Sequence, residues 1–220
     1  MSLETLRGKV ERLIEKAQNA EGDSEISPTQ YEFYKNYIEG KLSGDIVIPD
    51  WFVPYSYGGL FGNQPNVTSL DTGSVTSLSG YNSPTYKIYA LPTVKKIYFK
   101  NVTYIGERII AFVGGQYRYA FKNIEVIEFG KPLQTMYSAW TNSGGERSKL
   151  TNIIIPQGWY CPTYFHTFTN LSTESLHAMI ENLADLTGQD TQTFKIGTGN
   201  IAKIDDEHIA MLENKNWELS

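Results

Sequence analysis

Cysteine is nearly absent from this chain, because Cys161 is the only one among its 220 residues. An intrachain disulfide and a metal cluster built from thiolates are therefore both excluded. Positive charge is also limited, since 19 Lys and Arg stand against 24 Asp and Glu and no basic block occurs. A chain with this balance has little means of displacing counterions from a phosphate backbone, so we expect no nucleic-acid partner.

Long apolar runs are missing as well. No segment approaches the roughly 18 apolar residues of a membrane helix, so we expect no membrane insertion. The first 20 residues are charged and contain no apolar core segment, so we expect no signal peptide. Tyrosine and phenylalanine are plentiful by contrast, at 15 and 10 residues, and this excess predicts amphipathic faces rather than a deep globular core.

What the chain does contain is a short apolar pattern that recurs. It is clearest at residues 94–106, VKKIYFKNVTYIG, where the I-x-F step has the period of two that places alternate side chains on one face of a strand. IEVIEF and LTNIII repeat the spacing, and three weaker copies have lost an anchor. The middle anchors of the six predicted strands are Ile46, Leu70, Ile97, Ile127, Ile153 and Phe194.

These anchors lie 24 to 30 residues apart, except for a last interval of 41, and such intervals are typical of solenoids. One short strand cannot bury its apolar face alone, whereas parallel neighbours about 4.8 Å apart build a shared core. The residue three after each anchor is a chain-turning type in five of six cases, which are Pro49, Gly73, Gly130, Pro156 and Gly197. The exception is Lys100. The pattern predicts an α/β solenoid: a right-handed leucine-rich repeat with a short-stranded parallel sheet, an irregular convex side and helical caps at both ends.

Four regions are predicted along the chain. Residues 1–20 form an amphipathic helix, 21–44 a hinge and an N-terminal capping helix, 45–169 the repeats, and 170–220 a helix-strand-helix cap. The first helix carries an apolar stripe at coiled-coil spacing, so it joins copies of the chain into a homo-oligomer, docks on its own domain or frays. The stripe consists of Leu3, Leu6, Val10, Leu13 and Ala17.

Capping residues set the predicted helix ends. Ser27-Pro28 begins an aromatic-rich helix that Gly40 ends, and this helix is expected to cap the first strands or, alternatively, to offer an aromatic ligand platform. Ser172 and Asp205 begin two C-terminal helices. Gly188 is expected to end the first of these in a left-handed conformation, and Asn216 to take the same conformation before Trp217.

A family resemblance appears at residues 102–129, VTYIGERIIAFVGGQYRYAFKNIEVIEF. The segment resembles the BspA-type leucine-rich repeat, whose unit runs roughly V-x-x-I-G-x-x-A-F, a loop, then L-x-x-I-x-I-P. The A-F pair is displaced here by an insertion. The matching positions are Val102, Ile105, Gly106, Ala120, Phe121, Ile124, Ile127 and Phe129.

The C-terminal segment is similar to the ending shared by many repeat proteins encoded near phage and prophage tail genes of Firmicutes. It keeps their N-L-A-D-L-T-G-Q at 182–189 and N-x-A-K at 200–203, and it has Asn216 where they usually carry glycine. The resemblance implies a non-catalytic module that binds a protein or carbohydrate, in a virion or in the bacterial cytoplasm before assembly. The alternative it leaves open is a BspA-type cell-surface adhesin.

No group of residues points to catalysis, a metal or a cofactor. Cys161 and His166 lie five residues apart, but the segment offers no orienting acceptor or oxyanion site, and it is better interpreted as a buried turn. His177 and His208 lie on the two predicted C-terminal helices and are expected at the surface or rim. We therefore expect no enzyme, no cofactor and no metal.

The remaining candidate surface is the exposed face of the predicted sheet. Residues one before and one after each middle anchor point away from the core. They mix charges, one tyrosine and aliphatic side chains, which suits contact with a protein or a carbohydrate, although a solvated face without a partner fits equally well. The residues are Asp45, Val47, Ser69, Asp71, Lys96, Tyr98, Val126, Glu128, Asn152, Ile154, Thr193 and Lys195.

Overall fold

The computed structural model describes residues 8, 27–52, 64–78, 93–105, 123–136, 149–161, 163–165, 168 and 170–220. The predicted N-terminal helix and its apolar stripe lie outside these residues, apart from Gly8, which is helical. Most of the predicted convex-side connectors, within 53–63, 79–92, 106–122 and 137–148, also lie outside them.

The described residues form mostly parallel strands and a few helices, which gives them an α/β character. The helices are α1 (Pro28–Glu39), α2 (Thr173–Asn182), α3 (Thr198–Ile201) and α4 (Asp206–Asn214). The strands are β1 (Ser43–Val47), β2 (Asn66–Asp71), β3 (Ser77–Leu78), β4 (Lys96–Phe99), β5 (Tyr104–Ile105), β6 (Val126–Phe129), β7 (Thr135–Met136), β8 (Asn152–Ile154), β9 (Thr163–Tyr164), β10 (Gln192–Lys195) and β11 (Trp217–Leu219). Among the described residues, no helix is long and apolar enough to cross a membrane.

The largest sheet has five strands in the order β1-β2-β4-β6-β8, all paired in parallel. Its register aligns five of the predicted anchors directly across the sheet, in the order Ile46, Leu70, Ile97, Ile127 and Ile153. The last four are buried, and Ile46 on the outer strand is half-buried. The prediction that these five anchors stack in parallel is confirmed.

The sixth anchor belongs to a different sheet, so its predicted place in the stack is wrong. Phe194 lies on β10, which pairs in parallel with β9 and β11. The edge beyond β8 is occupied by α2, because the Ser175 hydroxyl bonds both the amide nitrogen of Ile153, at 2.9 Å, and its carbonyl oxygen, at 3.1 Å. Those contacts satisfy the backbone groups that a sixth strand would need.

A third sheet consists of the very short strands β3, β5 and β7, which also pair in parallel. Hydrogen bonds from the Thr103 amide to the Thr76 carbonyl, at 2.8 Å, and from the Gln134 amide to the Thr103 carbonyl, at 2.7 Å, extend it. The Asn101 side chain donates to the Gly73 carbonyl at 2.8 Å. These bonds hold each strand-to-strand turn of the chain against the preceding one.

Aromatic rings line the interior between these sheets. Phe99 and Phe129 stack with ring centroids 5.2 Å apart, and Phe129 meets Trp159 edge-on at 5.1 Å. All three side chains are buried. The I-x-F step of the sequence therefore places an aliphatic anchor and an aromatic ring on the same inward face, as the period of two requires.

Helix α1 begins and ends as its capping residues predict. Ser27 forms a capping box with Gln30, and Gly40 is left-handed with φ of 69°. Phe33 packs edge-on against Phe52, with centroids 5.3 Å apart, and Tyr34 is buried beside the same ring. These rings form the core at this end of the chain, so the alternative of an aromatic ligand platform does not hold for them.

Helix α2 is shorter than expected. Its N-cap at Ser172 is confirmed, but it ends at Asn182 rather than continuing towards Gly188. Leu183 is extended and bridges to Trp159, and Lys215 Nζ donates to the carbonyls of Ile180, Glu181 and Leu183 at 2.7 to 3.1 Å. A cation that binds the last carbonyls satisfies them and favours the negative end of the helix dipole.

Both ends of α4 have the capping residues that the sequence predicted. Asp205 is its N-cap and accepts from the His208 amide at 3.0 Å. Asn216 has φ of 61°, the predicted left-handed conformation, and its side chain donates to the Leu186 and Gln189 carbonyls. These bonds give asparagine a role at this position that glycine cannot fill.

Candidate functional site

The exposed side of the five-stranded sheet brings together ten of the twelve side chains that the sequence assigned to a binding face. In register, one row runs across the residue before each anchor and the other across the residue after it, and none of the ten is buried. We call these ten residues the ladder face: Asp45, Ser69, Lys96, Val126, Asn152, Val47, Asp71, Tyr98, Glu128 and Ile154.

Thr193 and Lys195 do not belong to this face. They lie on β10, whose partners are β9 and β11 rather than the five-stranded sheet. Thr193 and Lys195 flank the anchor Phe194 on the same strand, so they lie in the same three-stranded sheet as that anchor. The ladder face crosses five strands, or four steps of about 4.8 Å, and so spans roughly 19 Å.

Charged groups on the ladder face are paired across neighbouring strands. Lys96 Nζ forms an ion pair with Glu128, and Lys95 forms another with Glu125 beside it, at 3.5 Å. These side chains are exposed or half-buried, so solvent weakens each pair and its contribution to stability is small. The centre of the face therefore presents both signs of charge within reach of a partner.

Asp45 lies on the outer strand β1 and is held by two hydroxyl groups. Ser69 Oγ donates to its carboxylate at 2.6 Å, and Thr68 Oγ1 donates to the same oxygen at 3.0 Å. The bond from Ser69, followed by that from Thr68, lowers the pKa of Asp45 below its ordinary value. The carboxylate is thereby fixed in its charged form and in one orientation.

Aliphatic side chains stand at the two outer strands of the face. Val47 on β1 is 57% exposed and Ile154 on β8 is 46% exposed, both large values for apolar residues. Tyr98 on β4 lies between them and is half-buried. The ladder face thus combines a charged centre with one apolar contact point at each side.

The Cys161 and His166 pair is only partly described. Cys161 is buried, and its carbonyl accepts from the Trp159 indole nitrogen at 2.8 Å. A reactive thiol needs exposure and a positive environment, so burial fits the structural turn that the sequence predicted. His166 lies outside the described residues.

The expectation that His177 and His208 lie at the surface or rim is wrong for His208, and the two residues are in contact. Their rings stack with centroids 3.6 Å apart and an interplanar angle of 17°. His208 is buried, and His177 is half-buried. Asp205 lies beside both, so α2 and the start of α4 bring two imidazoles and a carboxylate together.

One part of this cluster carries a signal in the sequence. An aspartate N-cap accepts from the amide three residues later, which fixes Asp205 against His208. Nothing local in the sequence brings His177 to the same place, because its position depends on how α2 packs against α4.

No family model, curated protein or solved structure matches this chain.

Proposed function

We propose that this chain is a non-catalytic binding module of the leucine-rich-repeat type, which contacts a protein or a carbohydrate through its ladder face. The observation that carries the proposal is the register of the five anchors, since it places ten outward side chains in two rows on one exposed surface. Extended surfaces of this kind suit partners that are themselves large or extended.

The repeat interpretation is supported by the way the short strands follow the long ones. Leu70 on β2 precedes Leu78 on β3 by 8 residues, and Ile97 on β4 precedes Ile105 on β5 by the same 8 residues. In both cases the second residue lies in the sheet formed by β3, β5 and β7. A unit that crosses two sheets in the same order, and that pairs only with its neighbours, has the organisation of a solenoid coil.

The distribution of charge supports binding rather than a purely structural role. Paired charges such as Lys96 with Glu128 add little to the stability of an exposed surface, but they can orient a partner and set its register. Val47 and Ile154 are apolar but lie exposed on the outward side of the five-stranded sheet. A partner that covers these two side chains removes their apolar area from water.

Where the module acts is proposed from the resemblance of residues 170–220 to the endings of tail-associated repeat proteins. We propose that it belongs to a phage or prophage tail or baseplate. The genes beside its own test this location. Tail, holin or endolysin genes alongside support it, and a neighbourhood of cell-wall anchoring genes replaces it with the surface-adhesin alternative.

Binding is tested with two double variants that remove large side chains from two different surfaces. We expect the double variant Tyr98→Ala/Ile154→Ala, on the ladder face, to lose at least about tenfold in affinity for the partner, which corresponds to about 1.4 kcal/mol. The control is Tyr31→Ala/Tyr160→Ala, which removes two exposed aromatic rings elsewhere, at 46% and 43% exposure. We expect the control to bind as the unmodified chain does.

The measurement is titration by biolayer interferometry against ligands found on a glycan array and on a panel of purified tail and host-surface proteins. Circular dichroism establishes that both variants are folded. Equal losses in the two variants, or full binding by the ladder-face variant, would rule out this face as the binding surface. Turnover of any ligand in the panel would rule out the non-catalytic part of the proposal.

A further inference from the structure

The C-terminal helices carry a cluster of side chains with the composition of a metal site. His177 and Glu181 are four residues apart on α2 and therefore share one face of that helix. Asp205 and His208 are the N-cap and third residue of α4. One ligand atom from each of His177, Asp205 and His208 lies within 4.8 Å of the others.

One nitrogen atom of each imidazole is available to bind a metal ion. His208 Nδ1 lies 2.7 Å from Asp205 Oδ1, and because a carboxylate only accepts, this nitrogen carries the proton. The neutral ring then keeps a lone pair on Nε2. The Nε2 atoms of both His208 and His177 are buried, and neither has a hydrogen-bond partner.

Oxygen atoms stand close to both nitrogens but beyond hydrogen-bonding distance. Asp205 Oδ2 is 3.7 Å from His177 Nε2, and Glu181 Oε1 is 3.7 Å from His208 Nε2. Ligands of a tetrahedral zinc ion, with bonds of about 2.0 to 2.2 Å, stand roughly 3.3 Å apart. The two rings must turn out of their stack for this, because nearly parallel imidazoles direct their Nε2 lone pairs along nearly parallel lines.

We propose that His177, His208 and Glu181 bind a divalent transition metal ion, with zinc as the best match, while Asp205 stays outside the ligand set and orients His208. Imidazole nitrogens and carboxylate oxygens are ligands that zinc accepts readily. The hydrogen bond from His208 Nδ1 to Asp205 has the form of the outer bond that orients a metal-bound histidine. The ion joins α2, which covers the edge of β8, to α4, and so closes the C-terminal part of the chain.

The test is calorimetric titration of the chelator-treated chain with zinc chloride, together with cobalt substitution followed by visible absorption. We expect saturable binding at one site, a cobalt spectrum with the intensity of a tetrahedral site, and a higher melting temperature when zinc is present. His177→Ala is expected to weaken zinc binding by about tenfold or more.

Two further variants separate binding from folding. Asp205→Asn keeps a good N-cap for α4, because asparagine caps as well as aspartate, but it removes the carboxylate that accepts from His208 Nδ1, so we expect binding to weaken by about tenfold or more. His166→Ala removes the third histidine of the chain and is the matched control, with unchanged binding expected. The proposal is overturned if the unmodified chain binds no zinc, or if His177→Ala and Asp205→Asn bind it as tightly as the control.

Discussion

Ile153→Ala is expected to lower the free energy of unfolding by about 2 to 5 kcal/mol, whereas Ile154→Ala is expected to cost less than about 1 kcal/mol. The two residues are neighbours on β8, and the two substitutions remove the same atoms. Ile153 is 2% exposed and faces the shared interior beside Ile127, whereas Ile154 is 46% exposed on the ladder face. Only the first change opens a cavity between stacked strands.

The comparison isolates burial because both positions lose the same strand preference. Urea denaturation followed by tryptophan fluorescence measures the difference, and a loss of this size lowers the melting temperature of a chain this long by roughly 4 to 20 °C. Equal effects at the two positions would mean that β8 does not separate an interior face from an exposed one.

Gly73→Ala is expected to lower the free energy of unfolding more than alanine at the other described glycines with a positive φ, because only Gly73 among those tested has both a positive φ and a close neighbour. Gly73 has φ of 58°, and a Cβ atom there would overlap the carbonyl oxygen of Ile48, the residue that follows β1. The left-handed conformation costs an alanine about 1 to 2 kcal/mol, and moving the backbone away from the overlap costs about 1 to 3 kcal/mol more.

Gly44→Ala is the matched control for this substitution. Gly44 has a similar φ of 74°, but nothing lies within 4 Å of an added Cβ. We expect it to show the conformational cost alone, so chemical denaturation of the two variants measures the cost of the contact with Ile48. Equal losses would indicate that the turn after β2 does not lie against β1 as described.

The parts of the fold that were predictable are those in which burial leaves a local pattern. The anchors Ile97, Ile127 and Ile153 are each followed two residues later by another apolar residue, which is the step of an alternating strand, and they are aligned in the sheet. Capping is local as well, since a side chain binds a backbone group three residues away. Ser172 and Asp205 consequently act as the predicted N-caps.

The misplaced anchor shows where local pattern fails. Phe194 and Ile196 have the alternation of an inward strand face, and both are buried, but alternation does not specify which strand becomes the neighbour. That choice depends on Ser175 of α2, which bonds the backbone of Ile153 and closes the edge of the five-stranded sheet. The strands β3, β5 and β7 have two residues each, too few to produce a periodic signal.

The histidine cluster was not predictable for a related reason. Metal sites are found in a sequence when their ligands share a short segment, whereas His177 and His208 lie on separate helices. The contact between their rings depends on how α2 packs against α4. The ladder face was more predictable, because outward positions follow from the anchors themselves.

The central claim is that five anchors from distant parts of the chain lie side by side in one parallel sheet. Nuclear Overhauser effects between labelled Ile and Leu methyl groups test it most directly. We predict strong effects between consecutive anchors in the order Ile46, Leu70, Ile97, Ile127 and Ile153. Pairs that skip one strand, about 9.6 Å apart, should give none at short mixing times. Missing effects between consecutive anchors, or effects that define a different order, would contradict the account.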